Sequence, residues 1–266
     1  MSTVAIGFPG RVSWGLYDAA VLAWRNLLRV LRNPLFLLTE VVVQPVVFTL
    51  LFGYIFGGAI HLPGISYIDF LIPGVLVQTI TFGSMNTAVG LAEDLEKGLM
   101  DRFRSLPVVY WALPVARVTA DLVLDLVGLG LMIAVAYLIG FKFHGGAAAS
   151  LAALGLVLLW GFAIACFGTV LGVLLRKPTS VQAFGFIAMF PLTFASSTFV
   201  PVQTMPAWLQ AFSGHSPITA VVDAVRQLVL DGPGAGSSLA GAVAWSMAVV
   251  VVSLPAATYG FRRLTR

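Results

Sequence analysis

Charge is scarce in this sequence. Only 10% of its 266 residues are Asp, Glu, Lys or Arg, where a soluble domain carries about 25%. Hydrophobic residues make up 59% and the mean hydropathy is +0.97. Too few polar side chains remain to cover a water-facing surface, which excludes a soluble domain and makes the bilayer the solvent. Cysteine is nearly absent. Cys166 stands alone inside an apolar run, which excludes an intrachain disulfide and a thiolate cluster and leaves a small buried hydrophobe. His61, His144 and His215 are far apart and fit no metal motif. The three lysines, Lys97, Lys142 and Lys177, never follow a glycine, so a Gly-x-x-x-x-Gly-Lys phosphate loop is excluded. If the chain uses ATP, the nucleotide site belongs to another chain. No paired His–Glu, Ser–His or zinc motif supports a membrane-embedded enzyme. Internal repeats and low-complexity segments are missing too. The opening MSTVAIGFPGRVSWG lacks the charged-then-apolar order of a cleaved signal peptide, so the first membrane helix is expected to serve as the insertion signal and to stay.

What the sequence does have is long apolar runs. A spanning helix needs roughly 20 apolar residues, and six candidates fall at 35–57, 68–91, 111–140, 149–175, 179–200 and 239–261. The first is opened by Arg32-Asn33-Pro34, where Asn33 can cap and Pro34 takes the first helical position at no loss of a hydrogen bond. The sixth lies in a stretch without charge between Asp231 and Arg262. The predicted fold class is an all-α membrane protein, a single domain of six transmembrane helices spanning 1–266.

Lys and Arg set the orientation. Arg11, Arg25, Arg29, Arg32, Lys97, Arg102, Arg104, Arg117, Arg176, Lys177, Arg262, Arg263 and Arg266 fall on one side, against Lys142 and Arg226 on the other. The richer side is expected to be cytoplasmic, with both termini there, in a cell inner (plasma) membrane. The net charge of +4 then reflects topology and requires no nucleic-acid partner.

Two further segments flank the spans. At 11–32, Arg11, Asp18, Arg25, Arg29 and Arg32 fall on one helical face at 100° per residue, with Ala20, Trp24, Leu27 and Leu31 opposite. This is the pattern of a helix lying in the cytoplasmic interface. At 203–231, outside, the prolines predict two short helices, Pro206–Phe212 and Pro217–Leu230, that dip into or lie on the outer leaflet. Ser216 is a plausible cap for the second, and Asp231-Gly232-Pro233-Gly234 breaks the chain after it.

The remaining charge is concentrated at 92–106. Glu93, Asp94, Glu96, Lys97, Asp101, Arg102 and Arg104 all fall within thirteen residues. Leu95, Leu99, Phe103 and Leu106, with Met100 beside them, form one apolar stripe on a short amphipathic helix. Glu93–Lys97 and Lys97–Asp101 are i,i+4 pairs worth about 0.2–0.5 kcal/mol each. Gly98 in the middle costs about 1 kcal/mol relative to Ala and suits a close approach by another backbone. Pro107 stops the helix. A simple connector needs no apolar stripe. The stripe could rest on lipid, on the protein's own helix ends or in a partner's groove, and a docking helix for a soluble subunit is the functional reading.

Within the spans, Arg117, Asp121 and Asp125 recur every four residues and share one face, with Arg117–Asp121 a ready ion pair; Glu40 could pair with Arg117 or sit at the interface. Intramembrane charges of this kind mark either structural salt bridges or a functional site. The second span carries Gln78, Thr79, Thr81, Ser84, Asn86 and Thr87 with Phe82 and Met85 between them. The fifth is polar at both ends, Thr179, Ser180 and Gln182 opening it and Ser196, Ser197 and Thr198 closing it; Phe184, Phe186, Met189, Phe190 and Phe194 lie between. A polar-tipped, aromatic path would suit an amphiphilic or apolar cargo, whereas interhelical hydrogen bonding is the plainer use of each residue. Gly53–Gly57 and Gly168–Gly172 fit the small-xxx-small packing pattern.

The run DLEKGLMDRFRSLPV closely resembles the first cytoplasmic loop of type-2 ATP-binding-cassette (ABC) exporter permeases, the daunorubicin/doxorubicin-resistance-like branch. The stretch from Gly185 to Leu228 resembles the same family's fifth helix and outer re-entrant helices, with Met205–Leu209, Pro217–Thr219 and Arg226–Leu228 matching its elements. The resemblance covers nearly the whole chain. It implies a permease that pairs with a second copy or a sister permease and docks on a separate nucleotide-binding ATPase subunit, which holds ATP and Mg; no cofactor is expected on this chain. Glu93–Arg104 would be the coupling helix. The helix carrying Trp24, Arg25, Arg29 and Arg32 would be the interface helix. Gln78, Phe82, Met85 and Asn86 of the second span, with Phe184, Phe186, Met189, Phe190 and Phe194 of the fifth, would line the substrate path. Asp223 and Arg226 would brace the re-entrant helices. The competing reading is a self-sufficient secondary transporter or channel using Asp121, Asp125 and Glu40; missing repeats and missing broken midplane helices count against it.

Overall fold

The computed structural model describes residues 43–57, 64–98, 112–230 and 236–264, together with 21, 23–25, 27, 28, 32, 33, 35 and 39. These form α1 (Gln44–Gly57), α2 (Tyr67–Glu96), α3 (Ala112–Leu138), α4 (Gly146–Leu175), α5 (Pro178–Phe194), α6 (Ala207–Gly214), α7 (Pro217–Leu230) and α8 (Gly236–Leu264), with a 3-10 turn at Val202–Thr204. No strand occurs among the described residues. Four helices are long and apolar enough to cross a bilayer: Tyr67–Glu96, Val118–Leu138, Gly146–Leu175 and Leu239–Gly260. Helix α1 has 14 residues and α5 has 17. The described residues are therefore all-helical, with several helices apolar enough for a multi-pass membrane protein.

Helix α2 is the axis of the bundle. It opens with a capping box: Ser66 Oγ accepts from the Asp69 N–H at 3.1 Å and donates to Asp69 Oδ2 at 2.7 Å, satisfying a donor left orphaned by the first turn. Helices α4, α5, α1, α7 and α3 all pack against it, and α8 leans on α4 and α7. One continuous apolar cluster runs through them, from Leu71, Ile72, Leu76 and Ile80 of α2 to Val157 and Trp160 of α4 and Val221 and Val225 of α7, all at most 1% exposed.

Backbones touch where side chains are absent. A Cβ on Gly168 would lie 2.7 Å from Ser84 O, and one on Gly172 would lie 2.8 Å from Ala88 O. The Gly168–Gly172 pair thus lets α4 approach the α2 backbone directly, the role of small residues in membrane bundles. Gly53, by contrast, meets only the Leu71 side chain at 3.9 Å. Above the glycine seam the Trp160 indole N–H donates to Thr81 Oγ1 at 2.9 Å, and that hydroxyl donates to Val77 O at 2.7 Å. Trp160→Phe keeps an aromatic ring and removes the donor, leaving the buried Thr81 oxygen short of a partner. The expected cost is about 1 kcal/mol, read as a fall in melting temperature of about 2–4 °C.

Two segments depart from the sequence expectation. The fifth span, expected to reach residue 200, ends at Phe194. Pro191 lies inside its last turn, and Ser196 then turns back on the chain. The Ser196 hydroxyl donates to Thr193 O at 2.5 Å and lies 2.8 Å from Thr198 Oγ1, and such local bonds compete with helix. The second correction concerns the charged segment. It does not begin as a separate helix at 92: α2 continues through Glu93, Asp94 and Leu95 to Glu96, because charge alone does not stop a helix. Gly98 stops it. With φ +65° it occupies the left-handed position after the C-cap, and its N–H bonds Leu95 O at 3.1 Å. Gly98 is a helix terminator, whereas the sequence placed it mid-helix.

Candidate functional site

The two ends of the bundle are built differently. At one end the last turn of α2 carries Glu93, Asp94, Glu96 and Lys97, and the Glu93–Lys97 pair closes at 2.9 Å with both side chains well exposed. Such a pair contributes little. Leu95, assigned to the docking stripe, is instead packed inward on Leu91 and on Val173 of α4, so its place is taken within the chain. Nearby Arg176, at φ 58°, caps α4, and Pro178 starts α5 at the first turn; the two cations Arg176 and Lys177 suit a helix C-terminus. Leu99, Met100, Asp101, Arg102, Phe103 and Arg104 lie outside the described residues, as do Arg29 and Glu40. Trp24, Arg25 and Arg32 are exposed.

At the other end a clamp joins α2, the segment after α5, and α7. The Arg226 guanidinium donates to Phe70 O at 3.1 Å, Ser197 O at 2.8 Å and Asp223 Oδ1 at 2.8 Å, and lies 3.7 Å over the Phe70 ring. The Ser197 hydroxyl donates to the same Asp223 oxygen at 2.7 Å. Burial draws the Arg226 pKa down to about 10, with Asp223 acting the other way, so the group is charged at neutral pH. Directly beneath, a Cβ on Gly74 would collide with Thr198 O and sit 2.9 Å from Thr198 Cα. The segment after α5 is thus laid flat on α2 at a glycine and riveted by one arginine. The N–H groups of His144 and Gly145 both donate to Val229 O, tying the α3–α4 connection to the end of α7.

Between the ends sit the acids of α3. Asp121 accepts a short hydrogen bond from the Thr87 hydroxyl. Asp125 reaches the junction of α2 and α4: a Cβ on Gly83 would lie 3.2 Å from its Oδ1, and one on Gly161 would lie 3.4 Å from its Oδ2. Two glycines on two helices therefore make room for one carboxyl. The Arg117 side chain is outside the described residues, so the Arg117–Asp121 pairing is too.

The path candidates divide into two groups. Phe186 and Phe190 share one exposed flank of α5, Phe186 being 65% accessible, and Phe184 is exposed on the other flank, whereas Met189 is buried with Val181, Gly185 and Thr193 between them. Met85 packs onto Gly185. Gln78 is 4% exposed, Asn86 is exposed, and Phe82 is intermediate. The nine do not share one surface. What joins the aromatic ones is a stack that extends past the candidates: Phe186 to Phe190 at 5.2 Å, Phe190 to Phe194 at 4.2 Å, Phe194 to Phe199 at 4.8 Å, Phe199 to Phe52 at 4.2 Å and Phe52 to Phe48 at 5.7 Å.

The sequence that builds this bundle of apolar helices matches the model of the ABC-2 type transporter family over residues 17–230. The chain belongs to that family. This ABC-2 permease is 32% identical over 206 residues, 77% of its own length and 72% of the relative's, to a daunorubicin resistance ABC transporter permease protein of Streptomyces coeruleorubidus. It is 25% identical over 223 residues, 84% of its length and 80% of the relative's, to a probable doxorubicin resistance ABC transporter permease protein of Mycobacterium tuberculosis. A probable multidrug ABC transporter permease of Escherichia coli is 27% identical over 209 residues, 76% of this chain and 54% of that protein. The relatives are permease proteins, in keeping with a chain that has no phosphate loop.

Sequence reasoning on the ABC-2 permease missed Phe70, Ser197 and Gly74 in the clamp and Phe48, Phe52 and Phe199 in the stack. Only the i,i+4 spacing of Phe48 and Phe52 was a local signal. Phe70 lies more than a hundred positions from Arg226 and leaves no local trace, whereas Asp223 and Arg226 are an i,i+3 pair that the sequence singles out.

Proposed function

We propose that this chain is the transmembrane permease subunit of an ATP-driven exporter that moves a hydrophobic or amphiphilic compound out of the cytoplasm or inner leaflet. The observation that carries the proposal is family membership over 17–230 together with similarity to permeases named for drug resistance. Six spans, both termini cytoplasmic, are the topology this reading requires; α1 and α5 would join the four longer helices. ATP and Mg would be held by a separate nucleotide-binding subunit, docked at the charged end of α2 and the residues beyond it. The permease would act as a pair, with a second copy or a sister chain. The exposed phenylalanine face of α5 supports a route for apolar cargo near the pair's axis, and the inward packing of Leu95 makes Leu99 and Phe103 the anchors left for the ATPase.

Co-purification tests this. The permease should bring down an ATPase encoded beside it, and Leu99→Asp or Phe103→Asp should weaken that association at least tenfold and abolish ATP-dependent cargo movement in proteoliposomes, since burying an unpaired carboxylate in an apolar groove costs several kcal/mol. Unchanged binding and transport in both variants would remove the docking assignment. Uphill transport by the permease alone would remove the ATP-driven reading and favour the acid pair of α3 as an ion site.

A further inference from the structure

Four buried side-chain oxygens have no hydrogen-bond partner among the described residues: Thr49 Oγ1, Gln78 Oε1, Thr193 Oγ1 and Ser216 Oγ. Buried polar atoms are almost always paired, so each such atom calls for a reason. The helix registers bring three of the four to one level. Helix α2 turns one stripe toward α5, because Gly74 meets Thr198, Met85 meets Gly185, and Ala88 and Ala92 cluster with Val181. Residues 74, 78, 81, 85, 88 and 92 are spaced by four and three, so Gln78 lies on that stripe between Gly74 and Met85. Helix α5 answers with its buried face, Val181, Gly185, Met189 and Thr193. It runs antiparallel to α2, which brings Thr193 level with Gln78. Helix α1 completes the ring. Gly53 lies over Leu71, and Phe52 stacks on Phe199 and tilts against Phe194. Thr49, one turn below and 0% exposed, therefore comes level with Val75 and Gln78.

The helix registers put the three residues at one level, beside the inner end of the phenylalanine stack, with no hydrogen bond between their oxygens. Gln78 Oε1 can only accept, and the threonine hydroxyls can accept or donate. What Gln78 Oε1 needs is a group that donates a hydrogen bond, and a hydroxyl or amine that does so can also accept from a threonine. What lies beside them is aromatic, with outer rings at Phe186 and Phe190 open at the surface. We propose that Thr49, Gln78 and Thr193 form a niche for the O–H or N–H head of an otherwise aromatic amphiphile, whose body lies along the rings of Phe52, Phe194 and Phe199. The proposal rests on the exporter reading and adds to it a chemical selectivity: a donor-bearing aromatic compound is preferred over the same skeleton without the donor.

Pyrene, 1-hydroxypyrene and 1-methoxypyrene separate the possibilities, because only the second carries a donor. Binding to the full-length permease in lipid nanodiscs, read by energy transfer from tryptophan against protein-free discs, should give a Kd for 1-hydroxypyrene about tenfold below the other two, the gain of one buried hydrogen bond. Gln78→Leu should bring the three values together while pyrene still binds. Thr49→Val and Thr193→Val, which keep shape, should each lower the preference at least threefold and serve where Gln78→Leu fails to fold. Equal binding of all three by the unaltered protein would mean that water alone satisfies these oxygens, which overturns the niche and leaves the exporter reading standing. A preference that survives in the variants overturns it as well. No binding of any probe removes the niche and the aromatic route together, whereas the ATPase test stands apart from both.

Discussion

Arg226→Met should lower the stability of the permease by about 3 kcal/mol, or about 6–12 °C in melting temperature, and should free the segment at 195–200. The side chain is 11% exposed and donates to two backbone carbonyls, Phe70 O and Ser197 O, and to Asp223. Methionine matches much of the apolar stem but offers no donor. Hydrogen bonds from a charged group are worth about 1.5–3 kcal/mol each, and an acceptor left buried and unpaired adds to the loss. The cation over Phe70 adds about 1 kcal/mol or more in a desolvated place. Asp223 is 42% exposed, so water can recover it, and Asp223→Asn should cost no more than about 1 kcal/mol. The asymmetry between the two partners is the check: thermal unfolding of the purified variants should rank Arg226→Met far below Asp223→Asn. A reporter thiol introduced by Val200→Cys should become more accessible to labelling in the Arg226→Met background only. Equal effects would mean that the arginine acts merely as the mate of Asp223. The clamp would then not be what holds the α5–α6 connection against α2.

Much of this architecture was legible because the residues that set it act locally. Helix α7 runs from Pro217 to Leu230, the bounds expected from the Ser216-Pro217 start and the Asp231-Gly232-Pro233 break. Helix α4 reaches Leu175 and stops at Arg176-Lys177, as the run of apolar residues required. The ends of α2 and α5 were misplaced for opposite reasons. Charge at Glu93 suggested a boundary where the backbone has none, since Glu is a good helix former. Apolarity through Val200 suggested helix where Ser196 bonds its own backbone. Both errors come from reading hydropathy as if it were backbone conformation. The candidate site was legible as a set of residue types and not as a surface. Phe184, Phe186, Phe190, Met189 and Gln78 were singled out together, yet the helical repeat puts Phe186 and Phe190 on one flank of α5, Phe184 on the other, and Met189 between them on the buried face. Thr49 carried no signal at all, because a threonine in an apolar helix usually bonds the carbonyl one turn back. Thr81 and Thr169 do so, and Thr49 stands out only because its oxygen has no such partner.

The glycine seam should be the least forgiving backbone contact between two helices of the bundle. In Gly168→Leu the new Cβ would stand 2.7 Å from Ser84 O, and in Gly172→Leu 2.8 Å from Ala88 O. Both obstacles are backbone oxygens of α2, which cannot swing aside as a side-chain tip can. At Gly53 the nearest atom is the Leu71 Cδ2 methyl at 3.9 Å, an ordinary contact, and Gly53→Ala should change stability by about 1 kcal/mol or less. At Gly168 and Gly172 the helices themselves must part. That loses contact along Ala88, Ala92 and Leu171, and it strains the Trp160–Thr81 bond two turns away. Overpacking costs about 1–3 kcal/mol where a core can yield, and here the yielding element is the axial helix, so about 3 kcal/mol for Gly168→Leu and more for the double variant is expected. Membranes give no hydrophobic drive to close the gap again, because lipid tails fill it as well as leucine does. Thermal unfolding in nanodiscs should show Gly168→Leu/Gly172→Leu falling furthest of all the single-helix variants, with Gly53→Ala near the unaltered protein. A small effect in the double variant would show that α2 and α4 slide along one another, and the seam would then be a moving surface of the transport cycle instead of its fixed frame.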